Sequence, residues 1–168
     1  VGAVLGSMVD PDSKAVTYGG RNKCSMLNPL KMGALIKPSN TPQKCDFVNG
    51  NLTLIPADTV SKIGILSSKF THSMGDFDYG LRAISYGMDC WVAPGVYGEC
   101  KVNPIENSWR DTSLTQEERL IKLKSITQLP PVDEWNIFIK RHAPFVWPLL
   151  SLKALFRSKL PKVWLALN

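Results

Sequence analysis

The sequence is short of histidine, has no CxxC pair and has no long apolar run, and each absence removes a class of function. Only two histidines are present, His72 and His142, and the four cysteines (Cys24, Cys45, Cys90, Cys100) have no metal-binding spacing and no histidine cluster beside them. Neither a zinc site nor a dithiol redox motif is indicated. Reduced thiols in the core of a cytoplasmic protein are the expectation. No signal-peptide pattern opens the chain, and the longest uncharged apolar run near its end, His142 to Leu152, is too short to cross a bilayer. Internal repeats and low-complexity segments are absent as well. The composition has neither the charge excess of a disordered chain nor the apolar excess of a membrane protein. Because the chain opens on Val1 and not on a methionine, a piece of a longer protein is expected.

What remains is a chain of 168 residues, long enough to bury an apolar core without staples. Its formal charge of +6 is unevenly placed: the tail holds Lys140, Arg141, Lys153, Arg157, Lys159 and Lys162 with no acid, while acids and bases balance before it. Such asymmetry points to an anionic partner at the C-terminal end rather than to a nucleic-acid-binding fold throughout.

The opening "VGAVLGSMV" is a strand, and "DPDSKAVTYGG" turns it into a hairpin. Asp10 and Asp12 form a D-x-D pair that can hold a divalent ion. Turn chemistry explains the same residues and is preferred. From Arg21 to Gln43 a loop is expected, with one strand at "KMGALIK". "CDFV-NG-NLTLI" reads as strand, tight turn, strand, and "PADTVSKIG" as a short helix starting at Pro56 and stopped by Gly64.

The most informative stretch is "THSMGDFDYGLRAISYGMDCW". Ser73 and Asp76 have the spacing of a capping box, and Phe77, Leu81, Ile84 and Met88 form an apolar stripe on a helix that ends near Tyr86 before Gly87. Asp78 and Arg82 are four apart and can pair, a contact worth about 0.3–0.5 kcal/mol if exposed. "DCWVAP" and "VYGECKVN" read as two strands. Three helices follow, at "TQEERLIKLKSI", "PVDEWNIFIKRH" and "WPLLSLKALFRSK". A soft boundary falls near Pro130-Pro131, dividing 1–129 from a helical, basic, amphipathic tail over 130–168.

On physics alone, a carboxylate in the first turn of a helix is a cap. The order of pieces says more. Asp46 with Gly50, the strand Leu52 to Pro56, Ile63-Gly64, Gly75-Asp76-Phe77-Asp78 with Arg82-Ala83, Gly87, and the strand Cys90 to Ala93 resemble the acceptor-side half of a family 2 glycosyltransferase of the GT-A fold. The opening hairpin is similar to that family's linking hairpin. The resemblance implies an α/β fold, a partial GT-A domain with a short mixed sheet, flanking helices and a helical tail.

It also implies a function. Asp76 falls where the family has its catalytic base, with Gly75 in place of the usual glutamate, so a supporting carboxylate is missing. Asp46, Asn49, Gly50 and Asn51 match the segment lining the acceptor and sugar pocket. Asp78 belongs to that side, orienting the helix through Arg82. In the loop where the family often supplies a histidine stand Trp109, able to stack on a sugar or to anchor the core, and Arg110, able to meet a diphosphate. The implied reaction is inverting transfer from a nucleotide-sugar donor to a glycan or lipid-linked acceptor, in cell-surface polysaccharide assembly. It uses a divalent Mg or Mn ion whose ligands lie mostly outside this chain. The nucleotide-binding half is expected before Val1, so this piece alone is expected neither to bind donor nor to turn over. The basic tail has two readings, attachment to an anionic membrane surface at the inner face or packing on protein. The rival from another class is a non-catalytic module that binds membrane or protein, with Asp76 as a cap only.

Overall fold

The computed structural model describes residues 1–167. In chain order, strands β1 (Ala3–Val9), β2 (Val16–Tyr18), β3 (Arg21–Lys23), β4 (Met32–Leu35), β5 (Gln43–Cys45) and β6 (Thr53–Leu54) precede helices α1 (Ala57–Ile63) and α2 (Gly75–Ser85). Strand β7 (Cys90–Glu99) and helices α3 (Gln116–Leu123), α4 (Val132–His142), α5 (Trp147–Lys159) and α6 (Pro161–Ala166) complete a mixed α/β chain. Packing divides it into two units, Val1–Ser67 with Gly75–Val102, and Ser68–Met74 with the chain from Asn103 onward. The sequence places its boundary near Pro130; packing breaks earlier because Trp109 and Leu123 share a core with Leu165.

In the first unit β1 is central. It runs parallel to β7 and takes two antiparallel partners on its other edge, β6 beside Val4 and Leu5 and β2 beside Met8 and Val9. Strand β5 pairs antiparallel with the far edge of β7. These neighbours satisfy both edges of β1, and one face of "AVLGSMV" is turned to the core, with Ala3, Leu5, Ser7 and Val9 buried while Val4 and Met8 on the other face are half-buried. Ala3, Leu5, Cys45, Val48, Ala83, Cys90 and Val92 make the core, with Ile63, Ile84 and Met88 packed on it.

Three local expectations are corrected. Arg21–Lys23 is a strand paired with β4, inside the segment expected to hold only one. The Asn49-Gly50 turn does not close a hairpin, because β5 and β6 pair with β7 and β1 respectively. "DCWVAP" and "VYGECKVN" are one strand: Leu5 faces Val92 while Ser7 faces Val96, so the extra residues around Pro94-Gly95 bulge out without ending the ladder. Helix α5 ends at Lys159, before Pro161 as expected, and Pro161 then starts α6, since proline fits the first turn of a helix.

Helix α2 lies on this core. Leu81 and Ala83 are buried, and Phe77 meets Phe47 edge-to-face with ring centroids 6.2 Å apart. Gly80 permits the approach, because a Cβ there would come within 2.5 Å of Val48 Cγ2. The helix stops before Gly87, whose φ is 75°.

The second unit is helical. Thr115 and Glu118 close a capping box on α3. In α4, Glu134 is 7% exposed and accepts hydrogen bonds from the Thr71 amide (3.1 Å) and hydroxyl (2.7 Å). Phe138 stacks against Trp135 at 5.7 Å and meets Phe70 edge-on.

All four cysteines are free, and two of them make a pH test of the first unit's core. Burial pushes the Cys45 thiol up to about 12 and the Cys90 thiol up to about 11, against 9.0 for the ordinary thiol. Unfolding releases both thiols to ionise at their ordinary value, so the native state is favoured fully below pH 9 and loses ground as pH rises towards 11. Urea unfolding compared at pH 8 and pH 10.5 should show this loss. The variant carrying Cys45→Ala and Cys90→Ala should show a shallower one. An equal loss in both proteins would contradict the assignment.

Candidate functional site

The candidate site is built where the start of α2 meets the turn between β5 and β6. The Asp76 side chain, partly exposed, accepts the Gly50 amide through Oδ2 at 2.9 Å and the Phe77 amide through Oδ1 at 2.8 Å. Gly50 is close enough that a Cβ there would lie 3.3 Å from Asp76 Cβ, so this position is small for a reason. The turn itself is held by its own side chains. Asn49 Oδ1 accepts the Asn51 amide at 3.1 Å, and the Asn49 carbonyl accepts the Thr53 hydroxyl at 2.9 Å. Gly50 and Asn51 are exposed, so the rim of this arrangement faces solvent.

Ser73 does not complete the capping box, since its hydroxyl has no hydrogen-bond partner. Met74 explains the change. Its φ of 71° turns the chain sharply into α2, a left-handed backbone costing a non-glycine residue about 1–3 kcal/mol. Nothing in the local sequence marks that position. Strain of this kind concentrates at functional sites, which adds weight to the start of α2.

Behind Asp76 the helix is fixed by an ion pair that is buried, not exposed. Asp78 is fully buried, and its Oδ2 accepts Arg82 Nε at 2.9 Å. The guanidinium also donates through Nη1 to the Ile63 carbonyl (2.6 Å) and through Nη2 to the Ile65 carbonyl (2.8 Å). Three nitrogens therefore meet three acceptors, clamping α2 to the end of α1. Asp78 has no surface left for a sugar, so its place among the acceptor-contacting residues is corrected to that of a positioning residue. The two carbonyls were not foreseen, because their chain segment "IGIL" carries no polar side chain.

The remaining expected residues lie apart from this cluster. Asp46 accepts the Lys23 amide through Oδ2 at 2.7 Å, holding the end of β3. In the second unit Trp109 is 8% exposed, packed with Leu123 and Leu165, and its carbonyl accepts Arg119 Nε at 2.8 Å. A ring so covered cannot stack on a sugar, and Trp109 is the core anchor of that unit. Arg110 is exposed, with its guanidinium carbon 5.1 Å from the Trp109 ring centroid.

The Asp10-Pro11-Asp12 turn is built on its own hydrogen bonds. Asp10 Oδ1 accepts the amides of Asp12 (3.0 Å) and Ser13 (2.8 Å), and the Ser13 amide is the main cause holding this carboxyl below the ordinary range. Asp12 instead bridges Lys101 at 2.6 Å. Among the described residues no group of three or more His, Cys, Asp or Glu side chains is placed to hold a metal ion. Two concavities are also present. One of about 260 Å³ in the helical unit is lined by Leu129, Pro131 and Arg157 among others, and one of about 340 Å³ in the strand unit by Val4, Trp91 and Pro94. Asp76 lines neither.

No family model, curated protein or solved structure matches the chain.

Proposed function

We propose that this chain is the acceptor-side portion of an inverting glycosyltransferase, in which Asp76 takes the proton from an acceptor hydroxyl as that oxygen attacks a donor sugar. The observation that carries the reading is the Asp76–Gly50 contact. Two segments that resemble a transferase's base and its acceptor pocket are 26 residues apart, and their hydrogen bond of 2.9 Å puts a carboxylate at a solvent-facing turn. A carboxylate has about four lone-pair positions, so two amides leave places for a hydroxyl. General-base catalysis requires that reach. The buried Asp78–Arg82 clamp would keep the carboxylate in place while substrates exchange.

Asn49 and Asn51 are the polar side chains this turn offers to an acceptor, while Asp46 is engaged with the Lys23 amide instead. The donor nucleotide, the divalent ion and the lipid-linked or glycan acceptor belong to the proposal as partners of the complete protein. Among the described residues no group of three or more His, Cys, Asp or Glu side chains is placed to hold the ion, and no step is assigned to it.

One observation favours the rival reading. Both oxygens of Asp76 already accept main-chain amides, as they would in a purely structural tie between helix and turn. The chemistry separates the two readings. With the complete protein, acceptor-dependent release of nucleoside diphosphate should accompany a product whose anomeric configuration is inverted relative to the donor, read by NMR coupling constants. Retained configuration, or no acceptor-dependent release across a panel of nucleotide-sugars, would leave Asp76 as a structural tie.

A further inference from the structure

Helix α5 and its surroundings carry an apolar face that the helical unit does not cover. Leu149, Leu152 and Leu155 are 69%, 63% and 45% exposed, and Phe145 just before the helix is 99% exposed. Steps of three residues move the side chain back by about 60° around a helix, so the three leucines occupy an arc of about 120°. The opposite side of α5 is inward: Ala154 is buried, and the Arg157 guanidinium donates to the Pro130 carbonyl at 3.1 Å. Scattered exposed leucines are ordinary, but a contiguous stripe of them marks a contact surface.

Charge identifies the occupant. From Lys140 to the end of the chain there is no Asp or Glu, while Lys153 and Lys159 stand exposed on α5, Lys162 on α6 and Lys140 on α4. A second copy of this chain would bring the same uncompensated cations against themselves, which disfavours self-association through this face. Two of the lysine ammonium groups sit over aromatic rings, Lys140 Nζ 4.5 Å from the Trp147 centroid and Lys153 Nζ 5.5 Å from that of Trp164. Long cationic side chains on an apolar surface suit a boundary where hydrocarbon and phosphate meet. No described helix is long and apolar enough to cross a membrane, so a helix docking there would lie in the plane of the interface.

We propose that the α5 face formed by Leu149, Leu152 and Leu155, with Lys153, Lys159 and Lys162 around it, docks in the headgroup layer of a bilayer containing anionic lipid. This stands independently of the role given to Asp76. The test is co-sedimentation of the full chain with vesicles of phosphatidylcholine alone or with three parts in ten phosphatidylglycerol, at low and at raised salt.

Binding should be confined to the anionic vesicles and weaken with salt. Combined Lys153→Gln and Lys159→Gln should lower the partition about thirtyfold, near fivefold per lysine. Combined Leu149→Ser, Leu152→Ser and Leu155→Ser should abolish binding with unchanged circular dichroism, because these side chains are solvent-facing. Equal binding to neutral vesicles, binding that survives the serine variant, or no binding at all would overturn the proposal. So would a dimer in light scattering that the serine variant converts to monomer.

Discussion

Asp78→Ala is expected to lower the unfolding free energy by about 3–5 kcal/mol, the cost of removing one partner from a buried ion pair. Asp78 is fully buried and the Arg82 side chain only 17% exposed, so deleting the carboxylate leaves a guanidinium held among carbonyls with no counter-charge. For a domain whose whole stability is about 5–15 kcal/mol, that is a large share. Arg82→Ala should cost a similar amount, because it strands the carboxylate and releases the Ile63 and Ile65 carbonyls. Arg82→Lys should recover only part of the loss, since one ammonium cannot reproduce the planar fork that meets all three acceptors.

The paired variant is the informative control. Replacing Asp78 and Arg82 together by apolar residues of similar size should cost much less than the single changes add up to, because no lone charge is left inside. Urea titrations of the four proteins give the coupling energy directly. A loss below about 1 kcal/mol for Asp78→Ala would place the pair among ordinary surface contacts, contrary to its burial.

That pair also shows what the sequence could and could not reveal. The i, i+4 spacing is enough to predict contact, and contact is found. Whether the pair is exposed depends on Ile63–Ile65, a segment 13 or more residues away along the chain from Asp78, folding over it. No local pattern carries that information. Elements whose signals are local were legible: the strand at Ala3–Val9, the hairpin at Asp10, the helix between Pro56 and Gly64, the helix before Gly87 and the capped helix at Thr115. Pairings were not. "NG" marks a turn correctly, yet the strands on either side join β7 and β1, because turn chemistry fixes where the chain bends and not which distant strand it meets. At β7 a Pro-Gly pair looks like an interruption, while the ladder on β1 continues past it through a bulge.

The candidate site was legible in the same uneven way. Asp76 and the Asn49-Gly50-Asn51 turn could be singled out separately, and the fold brings them into hydrogen-bond contact. The left-handed backbone at Met74 came from packing alone, and packing decided for Trp109 between the two roles its sequence left open.

Asp76→Asn carries the second large expected effect. If Asp76 removes the acceptor's proton, the amide cannot, and transfer by the complete protein should fall by about 10²–10⁴-fold. That equals about 2.7–5.5 kcal/mol on the activation barrier. The fold should change little by comparison. Asn keeps one carbonyl oxygen for the Gly50 or the Phe77 amide and turns its NH2 towards the other, so one hydrogen bond at this partly exposed site is lost, about 0.5–1.5 kcal/mol.

The decisive measurement is therefore kcat and the urea unfolding midpoint of Asp76→Asn, determined on the same preparation of the complete protein beside the wild type. The account predicts a fall in kcat of at least a hundredfold with a midpoint lowered by no more than a loss of about 0.5–1.5 kcal/mol explains. Transfer kept within about threefold of wild type, or lost only in proportion to the fraction unfolded, would contradict it.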